Sequence, residues 1–213
     1  MRFAALETST DWCSVAVWHD GEICSLERRV PNRHSEHALP MLESLMKNHQ
    51  LDAVAFGAGP GSFTGLRIAC GLAQGLAFAR GLPVLGVSTL EATAEEAGAS
   101  RVVACIDARM REVYYAALEK RDGGWREVVA AQCVAPDAAP RAPGDGWVGA
   151  GSGFAAYGNF GLKKVLPEVH ATASAVARLA APRLQRGEGV DASLALPVYL
   201  RDKVALTVQE QRR

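Results

Sequence analysis

Apolar residues in this sequence form short runs separated by glycine-rich or charged turns, and the most organised stretch runs from Ala53 to Ala79. It begins as a short apolar strand, continues through the turn GAGPGSFTG and becomes a long helix. No charged residue lies between Arg67 and Arg80, so every face of this helix is apolar or small, whereas a surface helix carries one apolar stripe. Glycine inside a helix costs about 1 kcal/mol relative to alanine. The glycines Gly71 and Gly75 therefore predict close approach of another helix, from this chain or from a partner.

Alternating and helical patterns surround this stretch. The alternation predicts strands. The spacing of leucines behind Ser35 predicts a helix with Ser35 as its N-cap, and Pro40, about one turn in, is an alternative effective start. Asp20-Gly21 is a strong hairpin signal between the second and third strands. The predicted elements are strands Phe3–Leu6, Trp12–Trp18, Glu22–Arg29, Ala53–Phe56 and Pro83–Val87, and helices from Ser35 and over Leu90–Glu96.

The same order starts again at Arg101. VVACIDARM resembles the first strand with its acidic end, and Asp122-Gly123 repeats the hairpin signal of the first half. A repeat of about a hundred residues is typical of duplicated half-domains and too long for a solenoid. The second copy is poorer, because the stretch APDAAPRAPGDG stands where the first copy has a helix, and it predicts a loop.

The repeat predicts two α/β lobes with mixed sheets. We expect an N-terminal lobe over residues 1–100 and a reduced C-terminal lobe over residues 101–213, whose last segment can pack back on the first lobe. Beyond the last predicted helix, within TASAVARLAAPRLQRG, we expect one more extended piece at Pro197–Leu200. A cleft between such lobes is the usual place for a nucleotide.

Composition and charge exclude several classes of protein. The formal net charge is zero, with 23 basic and 23 acidic residues, which argues against a protein that holds nucleic acid on its own basic surface. No apolar run reaches the roughly 18 residues that span a membrane, and the five cysteines form no CxxC pair. We expect a cytoplasmic protein with buried free thiols and no membrane contact.

The candidate chemistry is sparse. The glycine turn meets neither the GxxxxGK[ST] nor the GxGxxG pattern, so a structural role is favoured over phosphate binding. His34 and His37 are one turn apart without further ligands at telling spacing, which favours a solvated helix start over a metal site. Glu7 and Asp107 each end a strand and are expected to face one cleft, where carboxylates hold metal or position water. The residues predict no catalytic set, no cofactor and no metal.

Five segments resemble the TsaB (YeaZ) family, and the resemblance covers most of the chain. The segments are LETSTDWCSVAV, HSEHALPML, FGAGPGSFTGLRIACGLAQGLAFARGLPVLGVSTLEA, IDARMREVYYA and PVYLRDKVA. The resemblance implies the two-lobed actin-like ATPase fold, also described as ribonuclease H-like. It also implies a role in making threonylcarbamoyladenosine next to the anticodon of tRNA, as the partner of TsaD and the companion ATPase TsaE, with tRNA reached only through the complex.

The same resemblance implies a pseudo-enzyme. The catalytic relative TsaD holds a metal through an HxxxH pair that follows a segment like GLPVLGV, and here those positions are Thr89 and Thr93. Threonine hydroxyls are poor ligands for a transition metal beside imidazole. The alternative is an active ATPase that uses Glu7, Asp107 and the glycine turn, or a peptidase of the same fold.

The resemblance further implies docking on TsaD, and self-association into a homodimer when alone, through helices of the first lobe. One predicted row of interface side chains lies on one face of the uncharged helix between Arg67 and Arg80, where two glycines let a partner helix approach. A second row lies on the preceding helix. The predicted interface residues are Ile68, Gly71, Leu72, Gly75, Leu76, Ala79, Leu39, Leu42, Leu45 and Met46.

Overall fold

The computed structural model describes residues 1–46 and 50–201, which form two five-stranded mixed sheets with helices packed on them. This confirms the predicted α/β class with mixed sheets. The strands are β1 (Arg2–Glu7), β2 (Trp12–His19), β3 (Glu22–Arg29), β4 (Ala53–Gly59), β5 (Val84–Ser88), β6 (Arg101–Arg109), β7 (Glu112–Arg121), β8 (Gly124–Val134), β9 (Val148–Ala150) and β10 (Lys164–Leu166). The helices are α1 (His34–Met46), α2 (Phe63–Phe78), α3 (Thr89–Glu96), α4 (Ser152–Tyr157) and α5 (Ala173–Gln185). Two 3₁₀ turns lie at Pro136–Ala138 and Ala192–Leu194.

The two sheets share one topology. The first has the order β3-β2-β1-β4-β5, and the second has the order β8-β7-β6-β9-β10. In each sheet the central strand pairs antiparallel with the next strand in sequence and parallel with the strand on its other side. The repeat that the sequence predicts from Arg101 onward is therefore present in strand pairing as well as in element order.

Both predicted Asp-Gly hairpins are present, between β2 and β3 and between β7 and β8. Asp20 and Gly21 have φ values of 49° and 103°, and Asp122 and Gly123 have φ values of 51° and 78°. A two-residue hairpin turn with positive φ at both positions matches the strand twist and favours Asp-Gly. The turn chemistry thus fixes the register of both hairpins locally.

The second half is reduced in helices and not in strands. Its counterpart of α1 is the 3₁₀ turn at Pro136–Ala138 within a loop, as the proline-rich stretch predicts, and its counterpart of the 16-residue α2 is the six-residue α4. The sequence analysis missed α4 and the three-residue β10, because such short elements carry no measurable periodicity.

The start of α1 differs from the predicted one. The helix α1 begins at His34, so it includes both Ser35 and Pro40. The extended piece predicted at Pro197–Leu200 is not part of a β-strand, and its Val198 N–H donates a hydrogen bond of 2.7 Å to the carbonyl oxygen of Ala58. A single backbone hydrogen bond holds this segment against β4 without adding a strand to the sheet.

The two faces of the first sheet have separate cores. The helices α1 and α2 cover one face around Leu42, Phe56 and Leu66, and the alanine-rich α5 covers the other face around Phe3 and Val176. The helix α5 thus lies on the first sheet although it follows the strands of the second. The second sheet is covered by α3 on one face and α4 on the other.

The cysteines are free thiols, as predicted, but not all are buried. Cys13, Cys70 and Cys105 are buried, Cys133 is half-buried and Cys24 is exposed. Cys24 lies on β3, an edge strand whose side chains mostly face solvent, and its apolar neighbours in sequence could not reveal that position.

We predict that Gly65→Ala destabilises the fold by at least about 1–3 kcal/mol, the usual cost of overpacking. A Cβ at Gly65 would overlap the backbone carbonyl oxygen of Thr8, and a backbone atom cannot move aside cheaply. Urea denaturation at low protein concentration measures this change in the free energy of unfolding.

The matched control is Gly71→Ala in the same helix. A Cβ there meets nothing within 4 Å, so we expect a gain of up to about 1 kcal/mol from helix propensity. Equal effects of the two substitutions would contradict the close contact at the start of α2.

Candidate partner interface and interlobe cleft

The outer face of α2 is uncovered in the described part of the chain. The helix starts at the N-cap Ser62, whose Oγ accepts a hydrogen bond from the Gly65 N–H at 3.4 Å. Its inner residues pack against β4, whereas the outer residues Gly71, Gly75 and Phe78 face solvent. Phe78 is 83% exposed, and a Cβ on either glycine would meet nothing within 4 Å. No described segment makes the close approach that these glycines predict.

The predicted interface residues on α2 differ in exposure. Ala79, just after α2, is exposed, and Ile68, Leu72 and Leu76 are half-buried. Leu72 and Leu76 also pack against the core of the first sheet. The half-buried residues Ile68, Leu72 and Leu76 therefore lie between the buried side of α2 and its solvent-exposed side.

The predicted row on α1 is more deeply involved in the core. Leu42 is fully buried and Met46 is 8% exposed, while Leu45 is half-buried and packs against them. Leu39, at 36% exposed, is the most open of the four. The four side chains thus do not form one free face, because helical spacing alone does not say which side of α1 meets the sheet.

Sequence reasoning missed a second apolar flank beside α2. Leu194 and Leu196 are 67% and 69% exposed, and the Gln74 amide ties this segment to α2 by donating a hydrogen bond of 2.9 Å to the Ala195 carbonyl. A groove of about 410 Å³ lies between the two elements. Its lining residues are Gly71, Gln74, Gly75, Phe78, Ala192 and Ser193. The segment carries no periodic pattern, so the only sequence signal was its run of apolar residues.

The glycine turn is explained by packing. A Cβ at Gly57 would overlap the Glu7 carboxylate, and one at Gly61 would fall 2.5 Å from the Ser9 Cβ. The Ser62 N–H donates a hydrogen bond of 2.7 Å to the Ser9 carbonyl. These contacts support the structural interpretation of the turn, because glycine allows the start of α2 to lie directly on the β1–β2 connection.

Glu7 does not reach a cleft, which corrects the expectation that it faces one with Asp107. Its side chain is fully buried, and its carboxylate accepts hydrogen bonds from the Ser9 N–H at 2.6 Å and the Thr89 hydroxyl at 3.4 Å. Burial raises the pKa of Glu7, and the bonds from Ser9 and Thr89 oppose that rise. Glu7 is therefore a structural group inside the first lobe.

Asp107 does line a cleft between the two sheets, of about 1040 Å³. Its carboxylate accepts hydrogen bonds from the Arg109 N–H at 2.8 Å and the Tyr157 hydroxyl at 3.3 Å, and Arg109 Nη1 lies 3.1 Å from Oδ2. Arg109 Nη2 is also 3.9 Å from Asp11 Oδ1 across the cleft. Arg201 pairs with Glu112 at 2.5 Å. These charges face one another, so this wall does not present a free cationic site for a polyphosphate.

Thr89 and Thr93, which the sequence analysis expects to replace a metal-binding histidine pair, are fully buried. The Thr93 hydroxyl donates a hydrogen bond of 2.8 Å to the Thr89 carbonyl one turn earlier, and the Thr89 hydroxyl faces Glu7. Both hydroxyls are thus committed to local contacts. Within residues 1–46 and 50–201, no group of three or more His, Cys, Asp or Glu side chains is placed to hold a metal ion.

The expectation of a solvated helix start is wrong for His34. It is 6% exposed and packs under the first turn of α1, whereas His37 is half-buried. Burial lowers the pKa of His34, although the backbones of Thr10 and Trp12 partly oppose that shift. Two histidines three residues apart point to opposite environments here and do not form a metal pair.

No helix among the residues described is both long and apolar enough to cross a bilayer.

Comparison with known proteins gives a consistent family. The protein-family model described as "TsaD: tRNA N6-adenosine threonylcarbamoyltransferase" matches residues 28–146. The chain is 37% identical to the Escherichia coli K12 protein named tRNA threonylcarbamoyladenosine biosynthesis protein TsaB, over 96% of each chain. It is 37% identical to the Haemophilus influenzae protein of the same name, over 96% of this chain and 95% of that one.

A solved structure agrees with the sequence comparison. YeaZ from Pseudomonas aeruginosa superposes with a TM-score of 0.87 at 40% identity, covering 93% of this chain and 99% of that one. Together with the TsaD-like match, this confirms the predicted actin-like, ribonuclease H-like fold. With this identity over nearly its whole length and the same arrangement of strands and helices, the chain belongs to the TsaB (YeaZ) family.

Proposed function

We propose that this chain is a non-catalytic partner subunit in the synthesis of threonylcarbamoyladenosine in tRNA. It forms a heterodimer with TsaD, joins a cytoplasmic complex with TsaE, and forms a homodimer when alone. The observation that carries the proposal is the outer face of α2, which residues 1–46 and 50–201 leave uncovered and where Gly71 and Gly75 leave open space beside an exposed Phe78.

The energetics favour a covered surface at this face. An exposed phenylalanine gains about 1.5–3 kcal/mol when it is fully buried, and the neighbouring Leu194 and Leu196 offer similar gains. Association costs at least several kcal/mol, so three or four such side chains are needed for a stable complex. The bare glycine backbone lets a partner helix come close enough to bury them together.

A scaffold role agrees with the state of the polar groups. Glu7 is enclosed, and Thr89 and Thr93 are committed to hydrogen bonds within the first lobe. Asp107 is engaged by Arg109 and Tyr157. A catalytic carboxylate must reach a substrate or a metal. None of these groups is free to do so, which favours the partner subunit over the ATPase or peptidase alternative.

The charge balance supports an indirect contact with RNA. The chain carries equal numbers of acidic and basic residues, 23 of each, and lacks the positive excess that holds a nucleic acid without help. In this proposal tRNA is bound through the complex, and the subunit acts by holding its partner.

We predict that Gly75→Leu abolishes self-association and binding to TsaD while the chain still folds. The added side chain enters open space in the free chain but takes the room that a partner helix needs. Phe78→Ser is expected to weaken both assemblies by about 1.5–3 kcal/mol, the burial energy of the ring. Sedimentation velocity measures assembly, and circular dichroism checks the fold.

Two comparisons make this test specific. Leu72→Arg should also lose assembly, but its side chain is half-buried, so a thermal melt must first establish that the variant folds. Val128→Ser removes an exposed apolar side chain, 39% exposed, from β8 on the other sheet and should leave assembly unchanged. Normal assembly of folded Gly75→Leu would refute the interface.

We further predict that an interface variant and a cleft variant have different effects on tRNA modification in cells that depend on this chain. Asp107→Asn removes the cleft carboxylate but should keep threonylcarbamoyladenosine in tRNA at the wild-type level, because a scaffold needs no reactive group there. Gly75→Leu should lower it by at least tenfold. Mass spectrometry of digested tRNA gives both values, and pull-down of the tagged chain shows whether TsaD and TsaE accompany it. Loss of the modification in Asp107→Asn, with assembly intact, would favour the enzyme alternative.

A further inference from the structure

The connection from β10 to α5 passes from the second sheet to the first. Its residues Pro167–His170 form part of the cleft wall, and α5 then packs on β1, β2 and β4. How firmly this connection rests on the first sheet therefore determines how firmly that wall is held. Two residues of the connection contact the first sheet through their side chains: Ala171, which is fully buried in its core, and His170, which carries the only ionisable one of these two side chains.

The imidazole of His170 is held on three sides. Its ring stacks on the Trp12 ring of β2, with centroids 4.6 Å apart and planes 5° from parallel. Its Nε2 lies 3.1 Å from Oε1 of Glu27 on β3, and its Nδ1 lies 3.1 Å from the Glu168 carbonyl oxygen. The side chain as a whole keeps 21% of its surface exposed, although Nε2 itself is shielded from solvent.

These contacts favour the doubly protonated ring. A carboxylate and a carbonyl oxygen only accept hydrogen bonds, and a neutral imidazole carries a single N–H. The Nε2 atom makes no hydrogen bond within the described residues, so Glu27 acts on it through its charge, which stabilises only the imidazolium. The imidazolium is also attracted to the face of the Trp12 ring. Burial by itself would lower the pKa of His170, but Glu27, the Glu168 carbonyl and Glu96 together raise it above its ordinary value.

The other charges around the ring leave Glu27 as the main counter-charge. Glu96 on α3 is already bound by the Arg178 guanidinium at 2.6 Å and the Thr172 hydroxyl at 2.7 Å. Glu7 on β1 is buried and acts on His170 only at a distance. Next to Trp12, Asp11 pairs with Arg29 at 3.4 Å, so these two largely cancel.

We propose that His170, Trp12 and Glu27 form a protonation-dependent latch that holds the β10–α5 connection on the first sheet and releases it when the imidazolium loses its proton. Because the pKa in the folded state is raised, the latch is complete below about pH 6.5, the ordinary histidine value, and is lost as pH rises through the folded-state value. The latch controls the cleft wall and does not involve the outer face of α2, so it goes beyond the proposed docking role.

Histidine-labelled NMR of the full chain tests the latch directly. We expect His170 to titrate with a midpoint above about 6.5. Glu27→Gln, which removes one charge from a partly exposed side chain, should lower that midpoint by several tenths of a pH unit or more. A midpoint at or below 6.5 in the wild-type chain would overturn the proposal.

Amide exchange provides the second measurement. Protection factors of residues 168–172 should fall roughly threefold to tenfold between about pH 6 and pH 8 in the wild-type chain, as the imidazolium is lost. In His170→Gln they should be low and independent of pH, while His19→Gln, at a histidine outside the latch, should behave as wild type. The same pH dependence in His170→Gln would refute the latch. Sedimentation should be unchanged in every variant, so failure here leaves the docking proposal intact.

Discussion

The contact between the start of α2 and the β1–β2 connection is the constraint on which the rest of the first lobe depends. The helix begins against the backbone of Thr8 and Ser9 with no room for side chains at Gly61 and Gly65. The Thr8 hydroxyl donates a hydrogen bond of 2.7 Å to the Gly65 carbonyl and holds this contact together. With its first turn fixed, α2 can place only one side on the sheet, and its glycine-bearing side necessarily points outward.

The same contact leaves no open space around the acidic end of β1. Gly57 lies on the Glu7 carboxylate, which is then enclosed with Thr89 below the start of α3. A buried carboxyl group needs hydrogen-bond donors, and Ser9 and Thr89 supply them. The hydrogen bonds of these polar groups at the base of the first lobe therefore stabilise its fold. An actin-like arrangement of strands is thus kept while the polar groups serve packing.

The two halves show which parts of a duplicated unit can be lost. Each half retains five strands in one order, because every strand supplies hydrogen bonds to its neighbour and the sheet cannot omit one. The helices that pack on the sheet can be replaced by other segments. The second half has a loop and the short α4 where the first has α1 and α2. The exposed flank of α2 therefore has no counterpart on the second sheet, and α5 covers the first sheet from the opposite face.

Local signals in the sequence determined most of the strands, the two Asp-Gly hairpins, the repeat and the uncharged α2, because alternation, turn chemistry and helical spacing act between neighbouring residues. The resemblance of five segments to a known family also predicted the fold and drew attention to Thr89 and Thr93. Only the tertiary structure decided that His34 and Glu7 are enclosed, that Leu42 faces the core while Phe78 faces solvent, and that His170 meets Trp12 and Glu27. Burial and pairing over such distances depend on how elements pack, and no local pattern in the chain specifies which side of an apolar helix the sheet will cover.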